Sequence, residues 1–378
     1  MTTVHLGVSA SPVEGRVPAG TRVSVVVPCR NEAASIGALL DAVERQDWPI
    51  EDTILVDDRS ADNLVEAVDT WRVRHPGFDV RVVPCRSAGI PAALNTGIVE
   101  ARGNVIVRLD AHSAPAPDYV RLAMRALFET DAGVVGGVWR IAPGRQNPVG
   151  RAIAVAAAHP MGAGDAAYRI THAGSDRRSV DTVPFGCFRK DLWKQLGGFN
   201  EHLLTNEDYE FNYRTRASGL TVLLDPRIQS TYWARPNLRA LARQYFRYGW
   251  WKAQMLKTHP ESLRWRQAVP AAFVATVTVL ALASALLDAA RPPLAVVVLT
   301  YAAAAIAASI HASYKRRDWA VVIWLPAVFA TMHVCWGGAA LINLLTAAHW
   351  PPRWAVTARA RRVANTAAAA TMAHDNDR

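Results

Sequence analysis

The chain has 378 residues, enough for one sizeable α/β domain and a smaller second unit. Its formal net charge of +10 and pI near 9.8 raise nucleic acid as a partner. The aromatic-plus-basic repeats of RNA-binding modules are missing, however, and the positive charge collects beside apolar segments, which fits an anionic membrane face or phosphorylated substrates and excludes nucleic acid. Four cysteines, Cys29, Cys85, Cys187 and Cys335, are far apart, which argues against a disulfide framework or a zinc site.

Residues 1–20 lack a basic segment followed by an apolar core and read as a flexible lead-in rather than a signal peptide. From residue 21 strands and helices alternate. RVSVVVPCRNE reads as a buried strand closed by Pro28. The following AASIGALLDAVERQ places Ile36, Leu39, Leu40 and Val43 on one helical face. TILVDDRS is a second strand ending in Asp57 and Asp58. A helix, the strand FDVRVVP, a helix around 91–101 and the strand NVIVRLDAH come next. Such alternation predicts a mostly parallel sheet wrapped by helices, with ligands beyond the carboxyl ends of the strands. Asn31, Glu32, Asp57, Asp58, Asp110 and His112 all fall at such ends.

Composition changes near residue 267. Residues 268–287, 292–314 and 319–352 contain no Asp, Glu, Lys or Arg, and a spanning helix needs roughly 20 apolar residues. Most of the 13 tryptophans lie between Trp250 and Trp354, near the ends of these stretches, as interfacial aromatics do. The expected organisation is an α/β domain over 21–230, interface helices over 231–266, a transmembrane region of two to three spans over 267–352, and a basic, Ala-rich tail over 353–378. Arg264 and Arg266 before the first span, and Lys315, Arg316 and Arg317 before the third, put the N-terminal domain in the cytoplasm. Three full crossings would leave the basic tail outside, against the same rule. Either the rule breaks at the tail or the third stretch does not fully cross.

Asp110 and His112 flank one alanine at a strand end. Oxygen and imidazole together suit Mn²⁺ better than Mg²⁺, and such an ion would neutralise a departing diphosphate. D-x-H alone is equally a capped turn.

Five blocks in order, VSVVVPCRNE, ILVDDRSADN, GIPAALNTGIVEARGNVIVRLDAHS, VDTVPFGCFRKDLWKQLGGFNE and NEDYEFNYRTRASG, together resemble the inverting family 2 glycosyltransferases, which have the GT-A fold. The resemblance is strongest to the membrane-bound succinoglycan-biosynthesis type (the ExoA-like group), and it covers roughly residues 20–265. It implies that Pro28, Asn31 and Glu32 border the nucleoside, and that Asp57 and Asp58 read uracil and ribose, either role being open to either aspartate. DDRSAD would also cap the next helix. Asp110 and His112 match the family's DxD position, with histidine in place of its second aspartate. Asp208 aligns with the catalytic base, Glu207 being the alternative. Gly186 is small enough for close approach to a sugar. RQYFRYGWWK loosely resembles the Q-x-x-R-W motif, which implies acceptor or diphosphate contacts for Gln244, Arg247 and Trp250. The same segment also reads as an amphipathic interface helix.

The function that follows is a membrane-anchored inverting transferase at the inner or plasma membrane. It would move one sugar from a nucleotide sugar, UDP-linked, to a lipid-linked saccharide acceptor in surface polysaccharide synthesis. The alternatives are a polyprenyl-phosphate sugar synthase and a non-catalytic scaffold or sugar-nucleotide sensor.

Overall fold

A computed structural model describes residues 17–172 and 174–346. Residues 1–16 and the tail over 353–378 lie outside the described residues. The elements in chain order are β1 (Val23–Cys29), α1 (Ile36–Glu44), β2 (Asp52–Asp57), α2 (Leu64–Arg74), β3 (Val80–Pro84), α3 (Ile90–Glu100), β4 (Val105–Arg108), β5 (Ala114–Pro115) and α4 (Tyr119–Thr130). Then come β6 (Val134–Ala142), α5 (Pro148–Ala157), α6 (Pro160–Ala163), α7 (Ala167–Ile170), β7 (Arg178–Ser179), β8 (Cys187–Arg189), α8 (Lys190–Gln195), α9 (Glu207–Ala217) and β9 (Val222–Trp233). Four long helices follow: α10 (Leu238–Thr258), α11 (Trp265–Ser284), α12 (Arg291–Arg316) and α13 (Leu325–Leu345).

The strands form one sheet in the order β3-β2-β1-β4-β8-β6-β9-β5, with β7 on β9. β1, β2, β3 and β4 pair in parallel, as the βαβ alternation requires. Beyond β4 the sheet turns mixed: β8 is antiparallel to both β4 and β6, while β6 and β9 run parallel across an irregularity between Gly136 and Val138. Successive residues of a strand face opposite sides. Val25, Val27 and Leu55 therefore enter one core with Leu39, Leu40 and Val43 of α1, while Val26, Ile54 and Val56 enter a second with Leu94 and Ile98 of α3. Both faces of β1 and β2 are covered, which is why these strands are apolar throughout.

A third core holds Ile153 of α5, Leu241 and Tyr245 of α10, and Leu325, Phe329 and Met332 of α13. α10 and α13 lie side by side in the same direction. Their first turns meet at Leu241 and Leu325, and a Cβ added to Gly249 would fall 2.0 Å from the Trp336 carbonyl oxygen. At their far ends Lys257 Nζ donates to the Thr346 carbonyl (3.4 Å). α11, α12 and α13 are each long and apolar enough to cross a membrane. They differ in their surroundings. α11 has no buried residue and Leu286, just beyond it, is 86% exposed, whereas α13 buries eight residues, from Leu325 to Asn343.

Candidate active site

The carboxyl ends of β1, β2 and β4 open onto one cavity of about 890 Å³, closed opposite by the start of α9, one face of α10 and residues of α11 and α13. At its centre is Arg108, the last residue of β4, only 4% exposed. Its Nη1 donates to Asp208 Oδ2 (2.8 Å), and its Nη2 lies 3.2 Å from Glu207 Oε1 and 2.9 Å from Asp110 Oδ1. One guanidinium thus gathers three carboxylates from two distant segments. Asp208 and Glu207 occupy the first turn of α9, where helix partial charges favour anions. Burial nevertheless pushes both carboxyls above the usual range; for Glu207 the neighbouring Asp208 adds to this, and Arg108 opposes the rise in each. Arg108 escaped the sequence reading. The signal was present: an arginine inside VIVRLD, a strand apolar on both faces, needs buried anions to pair with.

His112 Nδ1 meets Glu32 Oε1 at 3.0 Å. That bond raises the imidazole above its ordinary value. Burial would raise Glu32, yet its bonds with His112 and Ser35 bring it net below the usual carboxylate range. A carboxylate on one ring nitrogen is the usual support of a metal-binding histidine. His112 Nε2 has no protein partner among the described residues. Those residues contain no group of three or more His, Cys, Asp and Glu side chains placed to hold a metal. Asp110 and His112 both line the cavity and together offer one oxygen and one nitrogen ligand, leaving other positions for a substrate's oxygens and water.

The acidic pair divides its work. Asp58 lines the cavity: Oδ2 accepts from the Gly89 N–H (3.0 Å), while the buried Oδ1 has no partner. That oxygen is sealed from solvent, so a ligand N–H or O–H would reach it only after a local shift of the chain around Asp58. Burial raises this carboxyl above its ordinary value. Asp57 instead accepts from the Ser60 N–H (2.9 Å) and shapes the turn. Asn31 has a similar local task. In a left-handed conformation (φ 57°), it donates from its N–H to Ser60 Oγ and accepts from the Ala61 N–H, tying the β1 loop to the β2 loop.

Pro28, Glu32, Glu207, Gln244 and Arg247 also reach the cavity wall. The Gln244 amide lies 3.0 Å from the Tyr232 and Tyr248 hydroxyls, and Arg247 donates to Thr205 Oγ1 (3.0 Å). Gly186 and Trp250 are not among the wall residues. Gly186 packs where a Cβ would fall 2.9 Å from Val134 Cγ1, and its carbonyl accepts from the Arg108 N–H. Trp250, 6% exposed, sits in an apolar cluster with Leu203 and Met255, and its neighbour Trp251 faces the cavity. An aromatic patch not foreseen from the sequence completes the wall. Trp139 stacks on Tyr232 (4.2 Å, 5°) and meets Tyr168 edge-on (4.9 Å).

Residues 24–194 match the family description Glycosyl transferase family 2. The chain carries a family 2 glycosyltransferase domain. Succinoglycan biosynthesis protein ExoA of Rhizobium meliloti (strain 1021) is 27% identical over 252 residues, covering 66% of this chain and 74% of that protein. Glycosyltransferase AglE of Haloferax volcanii is 26% identical over 252 residues, covering 64% and 76%. Among solved structures, mannosyltransferase PcManGT from Pyrobaculum calidifontis, in complex with GDP-Man and Mn²⁺, superposes with a TM-score of 0.55 at 22% identity, over 86% of this chain and 87% of that one. The catalytic domain of this glycosyltransferase therefore has the GT-A fold, followed by apolar helices compatible with a membrane region.

Proposed function

We propose that this glycosyltransferase inverts configuration while moving one sugar from a nucleotide sugar, UDP-linked, to a lipid-linked saccharide at the cytoplasmic membrane face. One observation carries the reading. The cavity runs without interruption from Asp58 and Glu32, past the Arg108-centred carboxylates, to Pro270, His333 and Trp336 of the apolar helices. A water-soluble donor and a membrane-borne acceptor can meet there, and anchoring both partners to one surface raises their effective concentration.

Asp208 is the base. Its carboxylate takes the proton from the attacking acceptor hydroxyl as the new C–O bond forms at the anomeric carbon and the bond to the diphosphate breaks. Arg108 holds that carboxylate in place and compensates its charge. Asp58, on the cavity wall, receives the nucleoside. Asp110 and His112 would hold a divalent ion, Mn²⁺ rather than Mg²⁺ by their mixed donor set. Such an ion would supply neutralisation of the diphosphate's charge. The similar mannosyltransferase is in complex with GDP-Man and Mn²⁺, which supports a divalent ion and a nucleotide-sugar donor.

The chain crosses the membrane twice. α11 and α12 form a hairpin whose tip is exposed at Leu286 and Leu287, while both ends of α13 are fastened to the domain side. Arg151 Nε holds Asp318 (2.8 Å) before α13, and Lys257 reaches Thr346 after it. A helix tied at both ends to one body rests against that body's membrane face. This arrangement supports a tail on the cytoplasmic side, in keeping with its Arg353, Arg359, Arg361 and Arg362.

The alternative acceptor is a bare polyprenyl phosphate. An undecaprenyl-phosphate 4-deoxy-4-formamido-L-arabinose transferase of Pseudomonas aeruginosa (strain PAO1) is 34% identical over 135 residues, 32% of this chain. A phosphate needs no base. Turnover of UDP-sugars by the detergent-purified protein with Mn²⁺ and lipid extract, beside Asp208→Asn, separates the two. Loss in the variant supports the saccharide acceptor, and full retention overturns it.

A further inference from the structure

The cations on the cavity wall fall into two groups. Arg30, Arg108 and Arg266 each face a carboxylate. Arg169, Arg235, Arg247 and Lys252 do not: among the described residues no Asp or Glu lies within salt-bridge distance of them, and of these four Arg169 is the one held over two aromatic rings. The half-buried guanidinium lies over the rings of Trp139 (5.1 Å) and Tyr168 (5.4 Å). Its Nε donates to the Tyr168 hydroxyl (3.2 Å) and its Nη1 to the Tyr245 hydroxyl (3.4 Å). Neutral rings and phenols fix the orientation of the fork but leave its charge uncompensated. Of five N–H donors, three have no protein acceptor. A permanent cation held rigid on a cavity wall, without a counter-ion, is arranged for an anion that arrives with a ligand.

Its position in the chain indicates which ligand. Arg169 lies on α7, a few residues after α6. The Met161 carbonyl of α6 accepts from His333 Nε2 of α13 (2.8 Å), and His333 Nδ1 in turn meets the Tyr301 hydroxyl of α12 (2.9 Å). Gly162 of the same short helix approaches Met332. The arginine therefore stands where the apolar helices join the cavity, on a segment braced by them. We propose that Arg169, collared by Trp139, Tyr168 and Tyr245, binds a phosphate group of the lipid-linked acceptor. A planar fork matches two oxygens of a phosphate, and the aromatic collar shields the pair from water. The proposal rests on the lipid-acceptor reading, but its test needs no turnover.

Full-length protein in detergent is titrated with farnesyl phosphate, with farnesol, which has the same tail without phosphate, and with UDP. Arg169→Gln should weaken farnesyl phosphate by about tenfold or more, leave farnesol unchanged, and leave UDP within about twofold. Arg169→Lys, which keeps the charge but loses the fork, should fall between. A folded Arg169→Gln, judged by an unchanged melting temperature, that binds farnesyl phosphate like the parent overturns the proposal. So does weakening of UDP alone, which would assign the phosphate to the donor. If Arg169→Gln does not fold, Arg169→Lys carries the test, and parental affinity there overturns it. Failure of this assay leaves the Asp208→Asn turnover result standing, so the two readings fail separately.

Discussion

Arg108 and Asp208, a strand end and a helix start 100 residues apart, meet through a 2.8 Å hydrogen bond at the centre of the cavity. The bond joins the two halves of the sheet's ligand edge, and the same guanidinium holds Glu207 and Asp110. Arg108→Gln would leave three clustered carboxylates without their cation. We expect a loss of about 3 kcal/mol in stability, read as a lowered melting temperature. The loss should shrink from pH 8 to pH 5, because protonation relieves the repulsion. A deficit equal at both pH values would show that packing, not charge, is what Arg108 contributes.

Asp208→Asn should lower kcat by about 10²–10⁴ with UDP affinity retained. Burial pushes the Asp208 carboxyl up to about 6. A base must be ionised, so the parent's rate should fall as pH drops through 6 and level off above it. A rate flat down to pH 4.5 would contradict that role.

The Glu32–His112 bond predicts a graded response to metal. Chelation should weaken UDP binding, and Mn²⁺ should restore it. Glu32→Gln should raise the Mn²⁺ concentration needed for half-activation about tenfold, while Asp110→Ala should abolish the response. UDP binding that ignores chelation in the parent would remove the metal from this site.

Lys252 is 3% exposed, with its ammonium over the Tyr209 ring (4.1 Å) and bonded to the Ser262 carbonyl (3.1 Å). Burial pushes it down to about 7. The unfolded chain therefore binds more protons than the folded one between pH 7 and the ordinary lysine range, and stability climbs with pH across that window. Below 7 the cost of the buried charge is fully present. Lys252→Met should stabilise the protein by about 1–2 kcal/mol at pH 7 and flatten the climb. Thermal melts from pH 6 to pH 10 would show both effects.

Two crossings predict where thiol reagents reach. In intact cells an impermeant maleimide should label Leu287→Cys at the hairpin tip but not Thr357→Cys in the tail. The tail site should label only after permeabilisation. Cys29, Cys85 and Cys187 are buried, so background is limited. Labelling of the tail in intact cells would mean that α13 crosses.

Much of the first half could be read from residues because local chemistry is decisive there. Ile36, Leu39, Leu40 and Val43 are at most 1% exposed, as their helical spacing requires. The strands ending at Asp57 and Arg108 pair in parallel with β1, as the alternation of strands and helices leads one to expect. The mixed half was less legible. β8 is three residues long, and its antiparallel place between β4 and β6 comes from tertiary pairing rather than from periodicity. In the site, the sequence pointed to Asp58, Asp110, His112 and Asp208, which the fold brings to one cavity wall, but not to how each is held there. Asp57 and Asp58 look alike in sequence; only the turn geometry spends the first on Ser60 and puts the second on the cavity wall. Trp250 and Trp251 are likewise neighbours in one apolar cluster, yet only Trp251 reaches the cavity wall. Arg169 carried no motif at all, because its meaning depends on the absence of a carboxylate that no sequence pattern displays.

The placement of α13 along α10 bears on how the enzyme can be handled. Stopping the chain near residue 264 to obtain a soluble fragment would remove Arg266, Pro270, His333 and Trp336 from the cavity wall and strip the cover from Leu241, Tyr245 and Gly249. The fragment would retain Glu32, Asp58 and Arg108 and lose the apolar part of the cavity wall, with an apolar stripe turned to water. Its behaviour would report on part of the cavity only, so the smallest unit that can be treated as this enzyme includes its apolar helices.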